Sequence, residues 1–352
     1  MLTHRHWLIV GAGLAGSQLA YRLMEQGEHV TLVDANPEKN TSRTAAGLIN
    51  PITGMRLVKT DGFDKYFAAA SHFYSELQRR FKQQFFYPLP MLRLFQDENE
   101  LYQYHKRQID EEYQHLLGES LNANSTLFNA PLGGVYFRQS GYLDTSALLD
   151  CLHQMFREKG QLLTEPFDYQ QLHRDKTQIK WQDKFFDTVI FCEGYHLHNN
   201  PWFNYLPLQA AKGEIVSLQI DNLSLNEMVN RRQWIVTRQD GGFRFGATHY
   251  WHTLDERINQ PGVNELLTHF SELFRNSPPE YQLKKVEVGV RPATRDRQPF
   301  VGNHPEYPQL AVFNGFGAKG SLLVPWFSER MIRFLLHQEA LPVTADIRRY
   351  NA

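Results

Sequence analysis

The chain has 352 residues, of which 42% are apolar and 21% charged, and this composition excludes disordered, collagen-like and coiled-coil proteins. The length predicts two domains. Because Lys plus Arg (37) and Asp plus Glu (38) leave a net charge of −1, the sequence does not indicate a protein that binds nucleic acid through an overall positive charge.

The first predicted unit is a strand, a glycine-rich turn, a helix and a second strand. Trp7–Val10 is an apolar run typical of a buried strand, and it leads into the GxGxxG sequence Gly11–Gly16. His29–Val33 forms the second strand and is followed by Asp34, eighteen residues after Gly16. Such glycines permit a tight turn, close approach of a pyrophosphate and close helix–strand packing, and the helix N-terminus attracts the diphosphate. This complete context predicts a dinucleotide site, with Asp34 as acceptor for ribose hydroxyls.

Two more turns follow predicted elements further along the chain. The apolar strand Thr188–Phe191 runs into Cys192-Glu193-Gly194, and Asn314–Gly320 is a glycine-rich loop that opens a helix. The second loop predicts a second anion site, which in a flavoprotein could face the N1–C2=O edge of the flavin. A simple tight turn before a helix is the alternative. The sequence shows no second dinucleotide fingerprint of the kind an NAD(P)H-using flavin reductase carries.

Residues 207–285 predict a different architecture. Ile215–Gln219 and Trp234–Arg238 read as strands, Asp240-Gly241 is a hairpin turn signal, and Phe243–Phe245 alternates like a half-exposed strand. An amphipathic helix is predicted after Pro261. Strands followed by a helix predict an antiparallel sheet with a helix on one face.

Together these segments resemble the D-amino-acid oxidase-like family of FAD-dependent oxidoreductases, which includes glycine oxidase and sarcosine oxidase. Besides the fingerprint, the similarity rests on Thr41–Gly47, Ser140–Asp144, Lys212–Glu214, Gly241–Thr248 and Gly289–Asp296. The last stretches are most similar to the C-terminal oxidase half of the bifunctional tRNA 5-methylaminomethyl-2-thiouridine biosynthesis enzyme. The methyltransferase half of that enzyme is absent from this chain.

The resemblance implies an α/β fold in which a Rossmann-like FAD-binding domain of the glutathione-reductase type is interleaved with an antiparallel-sheet substrate domain. We expect the FAD-binding domain at 1–85, 141–206 and 286–352, and the substrate domain at 86–140 and 207–285. The implied FAD-binding residues are Gly11, Gly13, Leu14, Ala15, Gly16, Asp34, Ala35, Ser42, Arg43, Thr44, Ala45, Ala46, Gly47, Glu193, Gly194, Gly315, Phe316, Gly317, Ala318, Lys319 and Gly320. The cysteine that attaches flavin covalently in sarcosine oxidase is missing near Arg291, so the resemblance implies non-covalent FAD.

The resemblance also implies two catalytic residues. Arg291 corresponds to the arginine that binds the substrate carboxylate in glycine oxidase, and a guanidinium can grip a carboxylate through two parallel hydrogen bonds. Lys319 corresponds to the lysine that contacts the substrate carboxylate in sarcosine oxidase. The alternatives are a structural ion pair of Arg291 with Asp296 or Asp183, and a solvated lysine on an exposed turn.

Three further residues are weaker candidates for the substrate site. Arg56 could reach the same pocket from the opposite side, and His249 and Tyr250 follow a strand end that could line it; packing or surface roles are the alternatives. We predict no metal site, because the pairs His4/His6 and His196/His198 lack a third ligand nearby in sequence.

The favoured function is oxidation of the C–N bond of an amino acid or secondary amine by hydride transfer to flavin N5, with O2 as one candidate electron acceptor. One alternative is oxidation of carboxymethylaminomethyl-uridine in tRNA. Another is a non-catalytic flavin-binding or partner subunit. We expect a cytoplasmic protein, because the chain has only two cysteines and its N-terminus enters a strand directly. We also expect no membrane segment, because no apolar stretch is long enough to span a bilayer. The oligomeric state stays open.

Overall fold

A computed structural model describes residues 5–175 and 178–350, and two large β-sheets dominate it. The first sheet has six strands, in the spatial order Leu162–Thr164, His29–Asp34, His6–Val10, Thr188–Phe191, Leu310–Asn314 and Phe300–Asn303. All neighbours are parallel except the last pair, which is antiparallel. The strand His6–Val10 lies inside this sheet and is buried from Trp7 onwards, as its continuous apolar run predicts.

Eight α-helices surround the sheets in the described part of the chain. They are α1 (Leu14–Glu25), α2 (Thr41–Thr44), α3 (Phe63–Phe81), α4 (Glu98–Gln108), α5 (Glu111–Gln114), α6 (Thr145–Glu158), α7 (Gln260–Glu272) and α8 (Gly320–His337). Short 3₁₀ turns occupy Tyr169–Gln171, Gly194–Asn199, Gly317–Lys319 and Ile347–Tyr350. None of the helices in residues 5–175 and 178–350 has the length and apolarity needed to cross a membrane.

The second large sheet has eight strands. In spatial order they are Gln282–Arg291, Ala211–Gln219, Phe243–Gly246, Trp234–Thr237, Met228–Asn230, Met91–Leu94, Gly134–Phe137 and Leu117–Leu121. It is antiparallel except where Met228–Asn230 runs parallel to Met91–Leu94. The strand Gln282–Arg291 pairs along its whole length with Ala211–Gln219, so the expected domain boundary at residue 286 falls inside one strand.

Both faces of this sheet are covered at its centre. One face packs on α7 through Val263, Leu266 and Phe270. On the other face Arg244 donates hydrogen bonds to the carbonyl oxygens of Thr44 and Ala45, at 2.6 and 3.1 Å. The prediction that Phe243–Phe245 is half-exposed is therefore wrong, because the alternate side chain, Arg244, turns inward against the segment 41–47.

Smaller strands connect the two sheets. Gly141–Leu143 pairs with both Leu48–Ile49 and Phe86–Pro88, and Ile52–Thr53 forms a hairpin with Val58–Lys59. A three-stranded meander of Leu172–Arg174, Ile179–Trp181 and Lys184–Phe186 lies beside the six-stranded sheet. The chain passes repeatedly between the two sheets, as the interleaved fold predicted from the resemblance requires.

Candidate functional site

The predicted glycine fingerprint forms a tight turn at the end of the strand His6–Val10. Gly11 has φ +101°, and a β-carbon there would lie 2.5 Å from the carbonyl oxygen of Cys192. A β-carbon at Gly16 would lie 1.9 Å from the carbonyl oxygen of Gly11, so only glycine allows this approach of helix and turn. Beside Gly13, in contrast, only the Ser42 side chain lies within 4 Å of an added β-carbon.

Hydrogen bonds from two directions fix this turn. Asp34 accepts from the backbone N–H groups of Ala12 at 2.7 Å and Asn36 at 2.8 Å, and Ser42 Oγ accepts from the N–H of Leu14 at 2.9 Å. Ala35, next to Asp34, is exposed. The carboxylate of Asp34 thus lies at the mouth of the turn, where its remaining lone pairs can accept hydrogen bonds from ribose hydroxyls.

The residues at the start of α1 fit a dinucleotide. The N-cap residue Gly13 has no side chain that could cap the helix, and the first turn of α1 contains no acidic residue. No carboxylate of the helix itself therefore opposes the positive end of its dipole, at the point where Gly13 leaves room for a diphosphate. The geometry suits the pyrophosphate of FAD.

The segment 41–47 links the two sheets. Ala46 is buried, and Gly47 has φ +71°, where a β-carbon would lie 1.9 Å from the carbonyl oxygen of Leu143. Arg43 donates to the carbonyl oxygen of Pro37 at 2.8 Å, to Asp150 at 2.6 Å and to His153 Nδ1 at 3.3 Å. Its side chain thus anchors the segment to α6.

The turn after Thr188–Phe191 brings the backbone of Glu193 beside the fingerprint. The backbone of Glu193 lies 3.4 Å from a β-carbon built at Gly11, and Asn314 Nδ2 donates to the carbonyl oxygen of Gly194 at 2.9 Å. Glu193 accepts hydrogen bonds from the Tyr169 hydroxyl at 2.5 Å and from Asn200 Nδ2 at 2.8 Å. Burial of its carboxylate raises the pKa of Glu193 to about 7, although the two hydrogen bonds oppose the shift.

The C-terminal glycine loop lies next to the fingerprint. A β-carbon at Gly320, the first residue of α8, would lie 3.5 Å from the Leu14 side chain. Gly317 donates its N–H to the carbonyl oxygen of Pro292 at 3.1 Å, which ties this loop to the residue after Arg291. Gly315 and Phe316 are buried, whereas Ala318 is exposed. The structure therefore brings the two glycine loops and Arg291 together.

The side chain of Lys319 extends from the C-terminal glycine loop to Thr60. Its Nζ donates to Thr60 Oγ1 at 2.9 Å, and the residue is half-buried, so it is not a solvated lysine on an exposed turn. Burial, with a smaller contribution from the charge of Arg297, lowers the pKa of Lys319 below its usual value of 10.5.

Arg291 lies at the end of its strand with an unpaired charge. Its Nη1 donates to the carbonyl oxygen of Thr248 over a long 3.5 Å, and the described residues place no carboxylate within 4.0 Å of its guanidinium. Asp296, the ion-pair partner considered from the sequence, instead accepts from Arg349 at 2.9 Å and Tyr350 at 2.6 Å. Burial lowers the pKa of Arg291, while the charge of Glu214 acts in the opposite direction.

The three weaker candidates lie in different places. His249 follows Thr248 on the strand-end segment that touches Arg291; desolvation and the Arg291 charge lower its pKa to about 4, so its ring is neutral at neutral pH. Tyr250 turns its hydroxyl towards α7, where a β-carbon at Gly262 would lie 2.2 Å from it. Arg56 is exposed at the tip of the hairpin that begins at Ile52.

Several residues of this site were missed by sequence reasoning. Gly213 underlies the Arg291 guanidinium, and Thr60 holds Lys319. Glu214, which is fully buried, accepts hydrogen bonds from the Thr248 hydroxyl and from the N–H of Asn259. Lys212–Glu214 stood out only as a family motif, and nothing local to Thr60 signals a contact 259 residues away.

No cluster of three or more metal-ligating side chains occurs in residues 5–175 and 178–350. His4 lies outside the described residues. His196 and His198 sit on the turn Gly194–Asn199, where His198 Nδ1 contacts the carbonyl oxygen of Tyr195 at 2.6 Å.

Comparison with known proteins gives consistent matches. Residues 6–333 match the family described as FAD dependent oxidoreductase (DAO). The glycine oxidase of Bacillus subtilis is 22% identical over 349 residues, covering 92% of this chain and 91% of that protein. The bifunctional tRNA 5-methylaminomethyl-2-thiouridine biosynthesis protein of Marinobacter nauticus is 24% identical over 365 residues, covering 97% of this chain and 57% of that protein. The crystal structure of glycine oxidase from Geobacillus kaustophilus has the same fold, with a TM-score of 0.79 at 20% identity over 96% of both chains.

Proposed function

The chain belongs to the DAO family of FAD-dependent oxidoreductases, and from that premise we propose that it oxidises the C–N bond of an amino acid or a secondary amine that carries a carboxylate. Loss of a hydride from Cα and of a proton from nitrogen converts such an amine into an imine, which water hydrolyses to a carbonyl compound and a free amine. When bound, FAD supplies the hydride acceptor at its N5.

One observation carries the proposal: the unpaired guanidinium of Arg291. A half-buried arginine normally has a carboxylate partner, because an uncompensated charge is costly to desolvate. In the described part of the chain Arg291 has only the long contact with Thr248 O, at 3.5 Å. A substrate carboxylate would supply the missing partner through two parallel hydrogen bonds and would fix the orientation of Cα.

Lys319 also supports the proposal of a substrate that carries a carboxylate. Its loop is joined to the residue after Arg291 by the hydrogen bond from Gly317 to Pro292, at 3.1 Å. Its ammonium group is held by Thr60, a neutral acceptor, at 2.9 Å. Two cations on linked segments favour an anionic substrate group, and a purely structural flavin-binding subunit would have no need of them.

The test compares an amino acid with its decarboxylated amine in anaerobic flavin reduction. Arg291→Lys should weaken binding of the carboxylate substrate by about 1.5–3 kcal/mol, because it keeps the charge but loses the two-pronged geometry. Arg291→Ala should cost more, and neither variant should change the dissociation constant of the plain amine or the flavin content. Arg295→Ala is the matched control, since Arg295 is an exposed arginine of the same segment.

Equal losses for the acid and for its decarboxylated analogue would make Arg291 structural and would remove the amino-acid proposal. A separate test addresses the electron acceptor, by mixing the reduced flavoenzyme with air-saturated buffer. Rapid reoxidation of the flavin would identify O2 as an acceptor, and no reoxidation would exclude it.

The similarity to the Marinobacter protein favours one narrower alternative, a carboxymethylaminomethyl group on tRNA as the substrate. This alternative requires that the protein binds tRNA and that its affinity falls steeply as the salt concentration rises, because contacts with phosphate release counterions. If free amino acids reduce the flavin but tRNA that carries the carboxymethylaminomethyl group does not, this alternative is wrong.

A further inference from the structure

A cavity of about 730 Å³ lies on the face of the eight-stranded sheet that also carries the Arg291 site. Its lining includes Asn230 and Arg93, which are opposite each other in register. Residues opposite each other on paired strands point to the same face, and so do residues two apart on one strand. The face can therefore be followed from the cavity across the sheet.

The register connects the cavity with the seat of Arg291. Asn230 is opposite Trp234, Trp234 is opposite Gly246, and Gly246 is opposite Ile215. Gly213 lies two residues before Ile215, on the same face, and the Arg291 guanidinium packs against it. Trp234 lies between the two sites, with its ring 3.2 Å from a β-carbon built at Gly246, so the floor between them is apolar.

The opposite wall of the cavity is also shared with the candidate site. Asn50, Ile52 and Thr53 line the cavity at the start of the hairpin Ile52–Lys59. Thr60, which ends this hairpin, donates its N–H to the carbonyl oxygen of Pro51 at 2.9 Å and accepts from Lys319 Nζ at 2.9 Å. One hairpin thus borders both the cavity and Lys319.

The lining of the cavity is polar and its charges balance, because Arg232 and Asp97 contribute one charge of each sign. Arg93 is neutralised by Glu100, a fully buried residue 2.5 Å away, and it also donates to Asn230 Oδ1. Asn50 donates its amide N–H to the sulfur of Met91, a weak acceptor, so a ligand carbonyl can replace that contact at little cost. Such a lining suits an uncharged group that accepts and donates hydrogen bonds.

We propose that this cavity, the Asn230 subsite, holds the far end of the substrate, which is an N-substituted amino acid with a long, uncharged, hydrogen-bonding substituent on its nitrogen. The inference rests on the proposed function, because it needs the carboxylate at Arg291. Four strand spacings separate Asn230 from the strand of Arg291, a distance of about 19 Å. A substrate the size of glycine bound at Arg291 would leave the Asn230 subsite empty.

Binding can be tested without turnover by replacing the substrate nitrogen with oxygen. The probes are (carbamoylalkoxy)acetic acids of graded chain length, with methoxyacetate as the short reference, titrated into the FAD-loaded enzyme by calorimetry. We expect affinity to rise to an optimum at one chain length, about tenfold above methoxyacetate. A flat series would overturn the inference.

Two variants assign the optimum to the subsite. Asn230→Leu removes the amide, and Thr53→Phe fills the cavity from the hairpin side without touching the Arg93–Glu100 pair. Each should lower the ratio of long-probe to short-probe affinity by about fivefold or more, whereas the control Asn226→Leu, at an exposed asparagine outside the cavity, should keep it. An unchanged ratio in both variants would place the long chain elsewhere and refute the subsite.

The matching N-(carbamoylalkyl)glycines then separate the two proposals. If the ether probes show the optimum but no amine reduces the flavin, the subsite stands and the proposed oxidation fails. If short amines reduce the flavin but the ether series is flat, the oxidation stands and the subsite fails.

Discussion

The guanidinium of Arg291 lies directly against the backbone of Gly213. A β-carbon at position 213 would be 2.6 Å from Nη1 and 2.7 Å from Nη2, and 2.4 Å from the carbonyl oxygen of Thr248. Real β-carbons do not approach other atoms so closely, so any side chain at this position must displace the arginine or the strand. The position of the cation therefore depends on a residue 78 positions away in the sequence.

Gly213→Ala should weaken binding of a carboxylate ligand about tenfold, or about 1.4 kcal/mol, although every charge of the site remains. The reason is displacement of the guanidinium from its seat. Calorimetric titration of the FAD-loaded variant measures the loss. The control is Gly242→Ala, whose β-carbon would meet the Asp240 side chain at 3.2 Å and the carbonyl oxygen of Leu218 at an ordinary contact distance of 3.7 Å. Unchanged affinity in Gly213→Ala would mean that Arg291 does not bind the ligand from this seat.

Lys319→Met should lower the affinity for a carboxylate substrate by about 1.5–3 kcal/mol, the range for a hydrogen bond to a charged group. The wild-type affinity should fall as pH rises through the pKa of Lys319, because the neutral amine no longer attracts a carboxylate, and burial places this decline below pH 10.5. The variant should lack this limb of the pH profile. Stopped-flow flavin reduction against pH is the measurement, and an identical limb in both proteins would exclude Lys319 as its origin.

Asp34→Ala should weaken FAD binding by about 1–3 kcal/mol, because ribose hydroxyls and the N–H of Ala12 lose their charged acceptor. Gly13→Val should weaken it more, since the added methyl groups occupy the space left for the diphosphate. Titration of apoprotein with FAD, followed by quenching of flavin fluorescence, gives both values. Asp221→Ala, at an exposed turn, is the control; wild-type FAD affinity in both test variants would contradict the assignment of the fingerprint.

FAD should leave the protein intact when the yellow enzyme is precipitated with acid. The cysteine that attaches flavin in sarcosine oxidase has no counterpart near Arg291, and the free thiol of Cys192 is buried behind the fingerprint turn. Absorbance of the supernatant and the pellet measures the release. Colour that stays with the pellet would demonstrate a covalent bond.

Glu193 should make stability depend on pH. Its folded-state pKa of about 7 lies above the ordinary value of 4.5, so its contribution is fully present below pH 4.5 and is lost as pH rises to about 7. Glu193→Gln cannot ionise and should flatten the profile of melting temperature against pH across this window. Glu280→Gln, at an exposed site, should retain the wild-type slope, and a wild-type slope in Glu193→Gln would show that another group causes it.

The sequence by itself determined the local elements and the family. The glycine fingerprint and the apolar run Trp7–Val10 predict the first strand, turn and helix correctly, because glycine sterics and hydrophobic periodicity act over a few residues. The match of residues 6–333 confirms the predicted D-amino-acid oxidase-like family, and with it FAD and the two-sheet fold. The mainly antiparallel sheet and α7 were also predicted from alternation and turn signals.

Only the tertiary structure decided what surrounds each polar side chain. Arg244 alternates like a solvent-facing residue, yet it is buried because the segment 41–47 covers that face of the sheet. Arg43 belongs to the cofactor motif, yet its side chain is engaged by α6. Arg291 and Asp296 are five residues apart but do not pair, because Arg349 and Tyr350 reach Asp296 from the C-terminus. Partners so distant in the chain leave no periodic signal, so the charge balance of the site follows from chain packing alone.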